Sequence, residues 1–134
     1  MRAAHTVPAV RAAEQALMAT VPDGALMQRA AAGLAAACAS LLSQVYGARV
    51  VVLAGSGDNG GDALYAGARL AGRGAAVTAI AAGSKLHEAA ARELVARGGR
   101  ITAAVADDVQ GPAASQPAGG EPASAVAIDP AAAD

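Results

Sequence analysis

The sequence predicts an α/β fold in three layers, with helices on both faces of a short parallel sheet and two helices ahead of the first strand. Three observations carry this. A run of β-branched residues from Arg49 to Ala54 passes through a glycine-rich turn straight into a helix-period segment, the pattern of a buried parallel strand feeding a crossover helix. Two more strand-like runs, from about Ala75 to Ala81 and from Arg100 to Val105, alternate with helical segments across short connections, which argues successive βαβ units. At 134 residues the chain has room for one domain with a real core and not for two. These observations describe a Rossmann-like unit over residues 1–105, a linker or insert at 106–123, and a short strand with a tail at 124–134.

The elements follow in order. Thr6-Val7-Pro8 opens the first helix, with Thr6 in the capping position and Pro8 in the first turn, and the helix runs to about Thr20. Pro22-Asp23-Gly24 is a turn. A second helix, from about Ala25 to Val45, carries Leu26, Ala30, Leu34, Cys38 and Leu41 on one face and stops at Gly47, a residue suited to a left-handed end. The helix after the glycine turn reaches about Gly72, and Arg73-Gly74 leads into the second strand. Ser84 is placed to cap a helix from about Leu86 to Ala96, which Gly98-Gly99 ends. Beyond Val105 a tract rich in proline, glycine and alanine, Gly111 to Pro122, has no apolar period and reads as flexible connection. Ser124 to Asp129 predicts a short fourth strand ending in an acid, stopped by Pro130.

Composition narrows the function classes. A net charge of −1 does not favour a polyanion such as nucleic acid. One cysteine, Cys38, excludes an internal disulfide, and among alanines on a helix it reads as a small buried hydrophobe. With no leader pattern and no apolar run of spanning length, the expectation is a cytoplasmic protein without a membrane partner. Aromatics at 1% leave a core of small side chains that depends on close approach of helix and sheet. His5 and His87 lie near helix starts without partner ligands and read as solvated, as do the scattered Arg69, Arg73, Arg92, Arg97 and Arg100. Tyr65 reads as a packing residue.

The chemistry concentrates in Gly55-Ser56-Gly57-Asp58-Asn59-Gly60-Gly61-Asp62. The glycines let backbone approach a ligand, and the first helical N–H groups point at whatever occupies the turn. The helix dipole adds partial positive charge, so the turn reads as a cradle for phosphate. An ordinary dinucleotide fingerprint expects an acid ~20 positions on, at the end of the second strand; here Ala79-Ile80-Ala81-Ala82-Gly83-Ser84 holds none. A P-loop needs lysine after its last glycine, where this chain has Gly61-Asp62. Asp58 and Asp62 flanking Asn59 would repel phosphate unless a cation lies between them or the acids turn away to cap the helix.

On these residues the chain resembles the NAD(P)H-hydrate epimerases, whose loop reads Asn-Asn-Gly-Gly-Asp-Gly in most members. Ala12 to Met18 and Gly24 to Ala31 are similar to that family's N-terminal helices. Asp58 in place of the first Asn and Ala63 in place of the last Gly are departures, and Ala63 falls in the first helical turn, where glycine is not required. The resemblance covers roughly the first hundred residues, so the chain reads as a truncated N-terminal part of the epimerase domain. The family continues with further strands, one bearing an aspartate and a second glycine-rich segment and another a Val-Asp-x-Pro-Ser-Gly stretch. Asp129 is the candidate for the first of these aspartates. The glycine-rich continuation is not matched by Pro130 to Asp134, and the serine-containing stretch is absent.

What the resemblance implies is an isomerase acting on hydrated NADH or NADPH, in which a hydroxyl at C6 of the nicotinamide ring leaves and water returns to the other face. Asp58, Asn59, Gly60, Gly61 and Asp62 would bind substrate, Asn59 and Asp129 would hold a potassium ion, and Asp129 would be the acid/base residue. The two leading helices would help cover the substrate and form a homodimer surface. An ADP/ATP-dependent dehydratase is the implied partner. Three classes stay open: the epimerase, alone or as half of a bifunctional repair protein; a nucleotide-binding or scaffold module without turnover; and an inactive remnant.

Overall fold

The computed structural model describes residues 4–104 and the backbone of 125–129. In chain order the elements are α1 (Val7–Met18), α2 (Ala25–Leu41), β1 (Arg49–Ala54), α3 (Asp58–Ala71), β2 (Ala76–Ala81), α4 (Glu88–Ala96), β3 (Arg100–Ala103) and β4 (Ala125–Asp129). The linker expected at 106–123 lies outside the described residues.

The sheet has the order β3-β2-β1-β4. β1 pairs in parallel with β2, and β2 with β3, as the βαβ alternation requires. β4 pairs with β1 antiparallel, Arg49 opposite Asp129 and Leu53 opposite Ala125. The fold is thus α/β and Rossmann-like, with an antiparallel edge strand on a three-stranded parallel sheet.

Among the described residues the helices cover one face of that sheet. Val50, Val52 and Ala54 of β1 are buried while Arg49, Val51 and Leu53 are exposed, and in β2 the buried residues are Val77 and Ala79. The cause lies in the topology. Both crossovers, β1–α3–β2 and β2–α4–β3, step the same way across the sheet, and right-handed connections then place both helices on the same side.

α3 is the centre of the core. Its Leu64 and Leu70, with Leu94 of α4, are fully buried, each stabilising the fold by about 2 kcal/mol before entropic costs. Small residues permit the close approach the composition demands: a side chain on Gly67 would begin 3.1 Å from Val52 Cγ2 and 3.3 Å from Val77 Cγ1. α2 lies along α3 through Ala31, Ala35 and Cys38, with Leu34 half-buried. The expected stripe is therefore shifted, and Leu41 is 73% exposed. The helix ends at Leu41, short of Val45, because Leu42 is extended. Gly47 is left-handed as expected, but in the turn before β1, where its amide donates to the Gly74 carbonyl at 2.9 Å.

α1 begins after Thr6, whose side chain makes no capping bond, and none of its residues is buried. The cap of α4 also differs from expectation. His87, not Ser84, precedes the helix, and its Nδ1 accepts the Ala90 amide at 3.2 Å. Glu88–Arg92 and Glu93–Arg97 pair one turn apart on the exposed face, as scattered surface charges should. No helix among the described residues is long and apolar enough to cross a membrane.

Candidate functional site

β1 delivers the chain to its carboxyl end at Ala54, and Gly55-Ser56-Gly57 crosses to α3. Open α/β sheets bind ligands at this end of the strands. Gly57 has φ +98°, a conformation only glycine adopts without strain. It is the residue before α3, and no side chain among the described residues caps the helix. Among the described residues the first amide with a partner is that of Gly61, which donates to the Gly57 carbonyl at 3.2 Å. The amides of Asp58, Asn59 and Gly60 are left to a ligand or solvent, at the positive end of the helix dipole.

Gly60 and Gly61 serve packing as well as approach. A side chain on Gly60 would collide with the Gly55 carbonyl oxygen and come 3.0 Å from its carbon. One on Gly61 would begin 3.0 Å from the Met27 thioether and 3.1 Å from His87 Cδ2. The glycine pair therefore lets the start of α3 press against the end of β1 on one side, and against α2 and His87 on the other.

Asp58 and Asn59 are exposed; Asp62 is half-buried. The Oδ1 atom of Asp62 is buried and has no hydrogen-bond partner among the described residues, an arrangement that calls for a ligand or a bound proton to account for it. Burial pushes the Asp62 carboxyl above its ordinary value, the Asp58 carboxylate adds to the rise, and His87 opposes it.

A cavity of about 540 Å³ opens in front of this turn. Ser56, Asp58, Asn59 and Asp62 form one wall; Arg11, Glu14 and Met18 of α1 contribute to the other, with Pro22 to Gly24 and Met27 between. A second cavity, of about 520 Å³, lies beside it and is lined by Pro22 to Ala25, Met27, Gln28, Tyr65 and His87. Its Tyr65 and His87 rings meet edge to face with centroids 5.8 Å apart.

The structure thus brings Asp58, Asn59, Gly60, Gly61 and Asp62 into one turn and keeps Asp129 away from them. The antiparallel register places the Asp129 backbone opposite Arg49, at the amino end of β1. That is roughly 16 Å of strand from the glycine turn. The resemblance implied that Asp129 shares an ion with Asn59, which needs its strand to end beside the glycine turn; the antiparallel pairing ends it at the other end of β1. Among the described residues no group of three or more His, Cys, Asp or Glu could hold a metal ion.

Four residues that line the two cavities escaped the sequence reading. His87 is half-buried against Gly61 rather than solvated. Nothing local in Leu86-His87-Glu88 marks it, since only the packing of α4 beside α3 brings it to the turn. Arg11, Glu14 and Met18, by contrast, recur at spacings of three and four, a signal of one helix face that was legible.

Comparison with known proteins agrees with this arrangement. The family described as YjeF-related protein N-terminus matches residues 23–108. The chain is 44% identical over 110 residues to the bifunctional NAD(P)H-hydrate repair enzyme Nnr of Mycobacterium tuberculosis, covering 78% of this chain and 23% of that protein. It is 47% identical over 95 residues to the NAD(P)H-hydrate epimerase of Clavibacter michiganensis subsp. michiganensis, covering 71% and 39% respectively. The chain thus spans between about a quarter and two fifths of the length of these relatives. No solved structure matches it significantly. The match takes in α2, β1, the glycine turn, α3, β2, α4 and β3, and the chain belongs to the family of YjeF-related protein N-termini.

Proposed function

We propose that the chain is an NAD(P)H-hydrate epimerase, interconverting the R and S forms of hydrated NADH or NADPH. The observation that carries the reading is one Asp62 carboxyl oxygen, Oδ1, buried and without a hydrogen-bond partner among the described residues, beside three amides that no side chain there caps, along the lining of one cavity. Relatives named for this activity support it.

The amides at the start of α3 hold phosphate oxygens, and Arg11 across the cavity offsets their charge. Asp62 is the carboxyl that moves the proton. As the ring nitrogen's lone pair forms a C=N bond, the C6–O bond breaks and its electron pair leaves on the hydroxyl oxygen. Asp62, its pKa raised, supplies the proton that makes this oxygen water. A second water then adds to the opposite face and returns a proton to the carboxylate. Atoms and charge balance over the cycle, and no external oxidant or reductant enters.

A potassium ion belongs to the proposal. Asn59 and Asp58 present oxygen atoms in the first turn, a donor set that suits a hard cation. Bound there, the ion would relieve repulsion between Asp58 and phosphate. Asp129 is assigned neither a metal nor a proton-transfer role, given its place at the far end of β1. A cytoplasmic location and the lack of nucleic-acid and membrane partners are part of the same reading. So are a homodimer using the exposed Val7, Val10, Leu17 and Met18 of α1, and an ADP/ATP-dependent dehydratase acting on the other product.

The test is epimer exchange. The purified chain is mixed with separated R or S hydrated NADPH, with and without potassium, and the epimer ratio is followed by chromatography. Exchange in the wild type, lost in Asp62→Asn with nucleotide binding retained, is the expected result. Binding without exchange in the wild type would instead make the chain a nucleotide-binding module, and neither binding nor exchange would make it inactive.

A further inference from the structure

The second cavity has a composition that the rest of this chain does not prepare for. The sequence holds two tyrosines, two histidines and no phenylalanine or tryptophan. One tyrosine and one histidine meet here, beside the glycine turn, and both are half-buried. His87 Nδ1 accepts the Ala90 amide. A nitrogen that accepts must carry its lone pair, so the neutral ring bears its proton on Nε2. Among the described residues nothing accepts from that N–H. The cap of α4 therefore fixes the tautomer and leaves one donor uncommitted.

The same cavity is lined by Met27, which meets His87 at Gly61, and by the exposed Asp23. Pro22, Asp23, Gly24 and Met27 line both cavities, so the two share a wall. A ligand anchored by its phosphates at the start of α3 sits in the first cavity, and the second opens across the shared wall.

We infer that the cavity at Tyr65 and His87 is a ring-binding subsite for the flat heteroaromatic end of a nucleotide, with His87 Nε2–H donating to a ring or carboxamide acceptor and Asp23 receiving an N–H. The inference rests on the phosphate reading of the glycine turn. Adenine and the nicotinamide carboxamide both set an acceptor beside an NH₂ donor, and adenine and the oxidised nicotinamide ring also offer a face to an aromatic edge. Their shared chemistry is what the cavity recognises.

Titration calorimetry of the full chain with inorganic pyrophosphate, adenosine diphosphate and nicotinamide mononucleotide tests it. At least one nucleotide binds roughly tenfold tighter than pyrophosphate, as one ring contact warrants. Adenosine diphosphate responding identifies adenine as the occupant; nicotinamide mononucleotide responding identifies nicotinamide. Tyr65→Leu keeps an apolar side chain, and His87→Asn keeps an acceptor for the Ala90 amide, so both variants should melt cooperatively. Each weakens the favoured nucleotide roughly tenfold and leaves pyrophosphate unchanged. Nucleotides that bind no tighter than pyrophosphate, or that lose nothing in either variant, overturn the subsite. Undetectable pyrophosphate binding alongside nucleotide binding that still falls in both variants overturns the phosphate reading and leaves the subsite standing.

Discussion

Replacing Gly60 with alanine adds one methyl group where two stretches of backbone already touch. The new carbon would collide with the Gly55 carbonyl oxygen and lie 3.0 Å from its carbon. No flexible side chain is available to yield, so either the end of β1 or the start of α3 must move by roughly an ångström, an overpacking cost near the upper end of the usual range, about 3 kcal/mol. Alanine recovers about 1 kcal/mol through its better helix propensity and the lower entropy of the unfolded chain. The net loss is about 2 kcal/mol, a large share of the stability of a domain this size. Gly33→Ala is the matched control. Gly33 lies inside α2 with nothing within 4 Å of an added carbon, so there the same change stabilises by about 0.5–1 kcal/mol. Urea unfolding followed by circular dichroism measures both. A Gly60→Ala protein within about 0.5 kcal/mol of wild type would refute the argument that the turn is held by backbone contact.

Three further outcomes follow from the site. Asp62 has a folded-state pKa above its unfolded value, so ionising it costs stability, a penalty that is full above the folded pKa and fades as pH falls from there to the ordinary aspartate value. Asp62→Asn should therefore be more stable than wild type at pH 7, by about 1 kcal/mol, with the gap closing in acid; a gap that widens in acid would contradict the assignment. Arg11→Ala should raise the dissociation constant for pyrophosphate and flatten its dependence on salt, because Arg11 is the cationic side chain lining the first cavity. Asn59→Ala should abolish any potassium dependence of nucleotide binding while barely altering thermal stability, since Asn59 is exposed; a variant that keeps the full potassium response would remove Asn59 from the ion's shell.

Much of the fold was legible because it depends on short-range pattern. A continuous β-branched run ending in the glycine turn located β1, and the succession of strand-like and helical segments across short connections located β2, α3 and α4 within a few residues. What escaped depended on contacts between distant segments. The direction of β4 is one case: an apolar patch ending in an acid reads the same whether it runs up or down the sheet edge, and only the pairing of Arg49 with Asp129 decides it. The covering of the sheet is another. Helices on both faces are the rule for long doubly wound sheets, but two crossovers stepping in one direction leave Val51 and Leu53 uncovered among the described residues.

In the site, the motif was legible while part of its physical reason was not. From the sequence, Gly60 and Gly61 read as openings through which a ligand reaches the backbone. In the fold their missing side chains are also filled by the protein itself, by the Gly55 carbonyl at one and by Met27 and His87 at the other. This ties ligand affinity to packing in a way the motif alone does not show. A methyl group at Gly61 begins 3.0 Å from Met27 and 3.1 Å from His87, so these side chains must give way slightly, and both line the second cavity as well. A Gly61→Ala substitution should therefore weaken the ring-bearing nucleotides as well as pyrophosphate, whereas a turn that met ligand only through its amides would lose affinity for pyrophosphate and its nucleotides by the same factor. Comparing the two losses separates a turn that merely grips phosphate from one that also sets the shape of the chamber beside it.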